Sequence, residues 1–393
     1  MIHADIITAE REHKLFRIIS HQTLCEGDAA WLEENIPRVT DWPSATRIAF
    51  NDGLASFFYC HCRNLGLLKT LPEDTRKLFS RIYAETLLIN QHLLKVMEEL
   101  ARELEKRAMR VIVLKGAALL NAIYRDVALR PMEDIDLMVR EEDLGELRDV
   151  LGIMGFVQNK LYPNTFNKGI LSIDLHLDYL SSHRIRSRRD ILSVRSADVW
   201  NRAIPCNESA ALYRLSPCDS LIALSFHLLK HRYDRLIWFV DIAESIEKHR
   251  SATMWSDIVG YSRKVNASRI LLYALLLTKH LIGANVADDV LINLGKENIS
   301  RIEKYLLRLR LVHARPGTVM DLLWLFQIRG AGRNIRFVTE NVFPQREVMD
   351  QIFPSSPHHF RTFLRRSALV SSQVISDHLL SIRSVLKSGL PRL

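Results

Sequence analysis

Cysteine is scarce in this chain and follows no pattern. Its five cysteines, Cys25, Cys60, Cys62, Cys206 and Cys218, are odd in number and include no CxxC pair, which excludes a disulfide framework and a zinc ribbon. Cys60-His61-Cys62 offers three ligand types in a row, but no second ligand pair stands at a metal-site spacing. These cysteines read as packing residues in a reducing cytosol. With 15 glycines and 12 prolines in 393 residues, there is no low-complexity linker and no repeat of fixed period. The longest apolar run, Ile270 to Leu277, has eight residues, whereas a membrane span needs about 20. Met1-Ile2-His3-Ala4-Asp5 lacks the basic-then-apolar order of a signal peptide. A cytoplasmic protein without a membrane span is expected.

What is present is ordinary globular material: 48% hydrophobic and 25% charged residues, enough for two or three domains with real cores. The net charge of +9 suits polyanionic partners such as nucleotides, RNA or an anionic surface, without choosing among them.

Periodicity divides the chain into three regions. Residues 1–108 read as an N-terminal helical region, clearest from Pro72 through Leu78, Ile82, Leu87, Leu94, Met97 and Leu100. Residues 109–210 change period. Val111-Ile112-Val113-Leu114 suits a buried strand, Lys115-Gly116 leads into a short helix, and Asp134 to Val139 is a second strand. Glu141 to Met154 is a helix with acids in its first turn and Gly155 as its stop. Leu171 to Leu177 is a third strand. Strand, helix, strand, helix, strand is an α/β or α+β core. Residues 211–393 read as a C-terminal helical domain, opening with Ser216 as cap and Pro217 at the first helical position. Helices are expected over 217–232, 235–249, 255–283 and 300–312. Residues 301–340 carry eight Lys or Arg, among them Arg308, Arg310, Arg315 and Arg329, against three acids.

The chemistry-bearing pattern lies in the middle region. Alternate strand residues share a face. Asp134, Asp136 and Met138 therefore point one way, and Ile135, Leu137 and Val139 the other. Two carboxylates about 7 Å apart along one strand repel unless a cation or proton neutralises them. A hard divalent ion such as Mg²⁺ does this well. In the third strand, Ser172, Asp174, His176 and Asp178 share a face. If that strand lies beside the second, Asp174 joins the pair, and three carboxylates can hold two metals roughly 3.5–4 Å apart. Lys115 and Gly116 sit where a strand meets a helix, a place suited to phosphate, and Arg130 could also reach a triphosphate. His176 either lines the site or orients Asp174, the second being the expectation. Asp178 reads as a strand-end surface residue. Arg184, Arg186, Arg188 and Arg189 form a solvated basic loop or contact a polyanion. His227 and His231, four apart on a helix, could share a metal. No Glu follows the first, so the metalloprotease pattern is absent, and structural or substrate-facing roles are favoured. Asp241, in an otherwise apolar helix, is either a buried hydrogen-bonding residue or a site component.

These residues resemble a known family. Leu114-Lys115-Gly116-Ala117-Ala118, Leu129-Arg130-Pro131-Met132-Glu133-Asp134-Ile135-Asp136-Leu137-Met138-Val139 and Ile173-Asp174-Leu175-His176 look like the uncharacterised bacterial nucleotidyltransferases of the polymerase-beta-like superfamily. His227 to His231 and Trp238-Phe239-Val240-Asp241 look like that family's helices after the core. The likeness covers roughly residues 110 to 245. It implies an α+β fold, a small mixed sheet flanked by helices, with a helical domain closing over the nucleotide. It also implies that Asp134 and Asp136 bind two Mg²⁺ (or Mn²⁺), and that Asp174 completes the metal site and helps deprotonate the acceptor. Lys115-Gly116 stands where the superfamily usually has Gly-Ser. The implied reaction moves a nucleoside monophosphate from an NTP to a hydroxyl or phosphate of a small molecule, a peptide or protein, or an RNA. A natural-product or cell-envelope setting is suggested by the resemblance alone. Two other readings stand beside it: transfer of another group, such as a sugar, from an activated nucleotide, and a non-catalytic nucleotide- or RNA-binding module.

Overall fold

The computed structural model describes residues 12–180, 191–206, 209–249, 251–312, 315–328 and 330–342. Arg184, Arg186, Arg188, Arg189 and Arg329 lie outside them.

The described part of the N-terminal region supplies five α-helices: α1 (12–19), α2 (Glu26–Asn35), α3 (Trp42–Asn51), α4 (Ala55–Asn64) and the 33-residue α5 (Glu73–Glu105). Pro72 precedes α5 as its cap, and Glu73 and Asp74 complement the helix dipole in the first turn. The middle of the chain builds the sheet. β1 (Val111–Val113), α6 (Lys115–Leu120), β2 (Ile135–Met138), α7 (Leu144–Ile153), β3 (Val157–Gln158), β4 (Thr165–Lys168), β5 (Leu171–His176), α8 (Ser196–Arg202), β6 (Ile204–Pro205) and β7 (Leu212–Arg214) follow in order. Among the described residues seven α-helices come after: α9 (Pro217–Lys230), α10 (Leu236–Lys248), α11 (Ala252–Lys264), α12 (Ser268–Leu281), α13 (Asp288–Asn293), α14 (Arg301–Val312) and α15 (Ala331–Val342). The architecture is mixed α+β.

The seven strands lie in the order β3-β4-β5-β2-β1-β7-β6. β2 runs parallel to β5 and antiparallel to β1, while β1 and β7 are parallel. β4 and β5 form a hairpin whose two-residue turn begins with Gly169 at φ +59°. Glycine reaches this left-handed conformation without the Cβ penalty.

Both faces of the sheet are covered, and the alternation within β2 assigns its side chains to them. Ile135, Leu137 and Val139 enter a small core with Leu93, Met97 and Leu100 of α5 and Leu147 and Val150 of α7. Met138 instead joins a larger core, together with Ile112 of β1. That larger core draws on helices from both sides of the sheet region in sequence, from Leu15, Phe57 and Phe79 to Leu271, Leu307 and Trp324. The N-terminal helices and the later helices therefore bury one shared apolar interior.

Two details go beyond the sequence pattern. The stretch 255–283 is two helices, because Asn266 takes φ +61° between α11 and α12, and asparagine tolerates that conformation. The basic segment 301–340 is not one exposed face. Arg310 is only 2% exposed, and its Nε donates to the Tyr233 carbonyl. Arg315 donates to the Asn51 carbonyl, and Arg336 pairs with Glu340 at 2.9 Å. Around Cys60-His61-Cys62, burial pushes the Cys62 thiol up to about 12, and His61 Nε2 bonds the His21 carbonyl. Both are packing roles. Among the described residues, no helix is long and apolar enough to cross a membrane.

Candidate active site

Parallel pairing of β2 with β5 puts Asp136 directly beside Asp174, and Met138 beside His176. Side chains at paired positions share a face, so the two carboxylates stand side by side. Antiparallel pairing of β5 with β4 places Thr165 opposite Asp174, and Thr165 Oγ1 donates to Asp174 Oδ1 at 2.5 Å. Asp134 lies one residue before β2 and lines the same cleft.

The expectation for His176 is a bond to Asp174; the bond it makes here is to Asp136. It reaches diagonally across the pairing to Asp136, with Nε2 and Oδ1 2.6 Å apart. Lys115 Nζ donates to the same Asp136 oxygen, also at 2.6 Å. The route of the chain explains this convergence. The Leu114 amide bonds the Asp136 carbonyl, so the residue leaving β1 is pinned beside β2, and Lys115 begins α6 at φ +48°. Asp136, Asp174 and His176 are the described ligand-bearing side chains that cluster, their ligand atoms lying within 4.8 Å of one another.

The electrostatics of the aspartates diverge. Burial alone would raise the Asp136 carboxyl, but Lys115 and His176 overcome this and hold it well below the usual carboxylate range. Asp134 has no such pair of donors. Burial, and then the neighbouring Asp136 charge, push its carboxyl up to about 6 despite Lys115. The cluster is thus short of positive charge, and its oxygen donors suit a hard divalent cation.

The cleft has a volume of about 440 Å³, large enough for a small-molecule ligand. Its opposite wall comes from α9, α10 and the turn between them. His227 and His231 lie 4.4 Å apart by ring centroid, and both pack on Trp238, at 4.8 and 5.1 Å. Burial, then the nearby His231, keep His227 well below the usual imidazole range, so its ring is neutral. Lys230 and Arg235 line the same wall. Arg235 bridges to Glu133 at 3.1 Å and lies 5.7 Å from the Trp238 ring.

Arg130 borders the cleft, but its guanidinium is committed inward. Nε and Nη2 bond both oxygens of Asp241 at 2.9 and 2.8 Å, and Nη1 bonds the Pro131 carbonyl. Tyr124 donates to Asp241 Oδ1 at 2.6 Å. Asp241 is therefore a buried hydrogen-bonding residue that fastens α10 to the segment before β2. Gly116 belongs to the same arrangement. A Cβ there would lie 2.2 Å from Arg130 Nη1, so the absent side chain makes room for the guanidinium. Asp178, just past β5, accepts from the Leu180 amide and shapes the chain's exit.

Thr165, Lys230 and Arg235 escape a reading of the sequence. Thr165 reaches the site only through a hairpin whose strands carry weak local patterns. Lys230 and Arg235 arrive through helix packing, and no spacing within the chain marks them.

The chain matches the model of a family described as uncharacterised nucleotidyltransferases over residues 38–283. No curated protein and no solved structure matches it. The match takes in α4, α5, the whole sheet and both walls of the cleft, more than half of the chain. This protein belongs to the uncharacterised nucleotidyltransferase family.

Proposed function

We propose that the protein is a magnesium-dependent nucleotidyltransferase that moves a nucleoside monophosphate from an NTP to an acceptor hydroxyl or phosphate, in the cytoplasm. One observation carries the reading: Asp136 and Asp174 stand side by side on parallel strands, with Asp134 beside them in a ligand-sized cleft. Asp134, Asp136 and Asp174 would hold the divalent ions. When bound, these neutralise developing charge and align the attacking and leaving oxygens.

The chain's own residues supply the rest. Thr165 fixes the rotamer of Asp174, the carboxylate positioned to accept the acceptor's proton. His176 holds Asp136 through the same oxygen that Lys115 contacts. Lys115, Lys230 and Arg235 bring positive charge to a polyphosphate from two walls of the cleft. Trp238 and the neutral His227 offer flat surfaces for stacking.

The test is label transfer. Incubation with α-³²P-labelled NTPs, Mg²⁺ and candidate acceptors should label an acceptor and release pyrophosphate, and Asp136→Ala should abolish both. Transfer of a sugar from a nucleotide-sugar, without nucleotide label, would replace this reading with that of another transferase. Tight nucleotide binding without turnover on any acceptor would leave a binding module instead.

A further inference from the structure

Lys115 combines three features that a simple phosphate-gripping lysine does not need. It is a non-glycine residue in the left-handed region, at φ +48°. Such strain persists only where the surroundings enforce it, and it concentrates at functional sites. Its ammonium sits 2.6 Å from a carboxylate oxygen that is almost completely buried, with Asp136 only 3% exposed. That oxygen is shared with His176, also at 2.6 Å, so two nitrogen donors converge where a ligand oxygen of the metal site is expected.

We propose that Lys115 is a placeholder for the divalent ion: its ammonium neutralises Asp136 until metal binds, and metal binding then releases it to the polyphosphate. The inference rests on the nucleotidyl-transfer reading of the site. An ammonium and a divalent cation cannot both stay within a few ångströms of one oxygen without strong repulsion. A buried Asp136 with no counter-charge is also costly. Exchange of one cation for the other meets both constraints. Lysine suits the task, being a compact point charge on a flexible stem rather than a rigid fork. The side chain is 18% exposed and borders the cleft, so it has open space to swing into.

The placeholder role predicts an effect opposite in sign to that of a phosphate grip alone. Removing the ammonium should tighten metal binding when no nucleotide is present. Mn²⁺ is titrated into nucleotide-free wild type, Lys115→Met, Lys115→Gly and Asp136→Ala, with free ion read by electron paramagnetic resonance. Lys115→Gly places the residue best suited to φ +48° at that position, so a folded variant without the ammonium is secured. Both Lys115 variants should bind Mn²⁺ about tenfold more tightly than wild type. At saturating Mn²⁺ the same variants should bind inorganic tripolyphosphate more weakly than wild type. Mn²⁺ binding by both variants that is no tighter than wild type overturns the placeholder role while leaving the metal site standing. Wild-type-like binding by Asp136→Ala, or no binding by wild type, overturns the metal site itself and the placeholder with it.

Discussion

Two buried cation–carboxylate arrangements border the same cleft, and they are built differently. On one side, Arg130 meets Asp241 through two parallel hydrogen bonds, Tyr124 adds a third, and the fork is seated over Gly116. On the other, Lys115 and His176 each make a single contact to one oxygen of Asp136, and Asp134 beside them holds its proton up to about pH 6. The first is planar, multiply bonded and closed, which is how an arginine pair holds structure together. The second is single-contact, crowded with like charge and open to the cleft. A satisfied network fixes a fold, and an under-compensated one is available to a ligand.

Substitutions should separate the two arrangements. Asp241→Ala leaves Arg130 buried without its partner and should cost about 3–5 kcal/mol of stability, read as a lowered midpoint in urea. If it melts like wild type while losing activity, the assignment of that pair to structure is wrong. Asp136→Ala should do the reverse, cutting the proposed nucleotidyl transfer by about three orders of magnitude, some 4 kcal/mol of barrier, with little loss of fold. Activity within tenfold of wild type would remove Asp136 from the chemistry.

The proton on Asp134 gives a third contrast. Its folded value of about 6 lies above the ordinary 3.8, so the folded chain binds that proton more tightly than the unfolded chain does. The resulting stability is fully present below the ordinary value and is lost as pH rises through about 6. In chelator, Asp134→Asn should therefore match wild type near pH 4 and exceed it near pH 7.5, by up to about 3 kcal/mol. Thermal melts at the two pH values check this, and adding Mg²⁺ at the higher pH should narrow the gap. A constant difference across pH would mean that Asp134 is not strained by its neighbours. The smallest effect should come from Tyr124→Phe, which removes one of three bonds to Asp241 and should cost about 1.5 kcal/mol. A loss as large as that of Asp241→Ala would show that the tyrosine, not the arginine, carries the network.

Much of the site was legible because β-strands impose a period of two. Asp136 and Asp174 each sit on an alternating strand, and the apolar partners Ile135, Leu137, Ile173 and Leu175 mark the opposite face. The Ser216 cap with Pro217 located the start of α9 just as directly. Roles were harder to read than places. Gly116 and Arg130 are expected near phosphate from their position by a strand end, and both line the cleft. Their contact with each other could not be read, because it depends on a helix residue 111 positions along the chain from Arg130. His176 shares a face with Asp174, yet it bonds Asp136, because strand pairing brings a nearer carboxylate than the one on its own strand.

The sequence by itself determined which residues share a face, where helices begin, and that like charges would gather on one strand. Those follow from backbone geometry repeating over a few residues. Only the tertiary structure decided the partners: Thr165 for Asp174, Lys115 and His176 for Asp136, Asp241 for Arg130, and a wall of His227, His231 and Trp238 across the cleft. Those contacts join segments that local periodicity treats as independent. They form because both faces of the sheet must be buried, and burial brings distant helices against it.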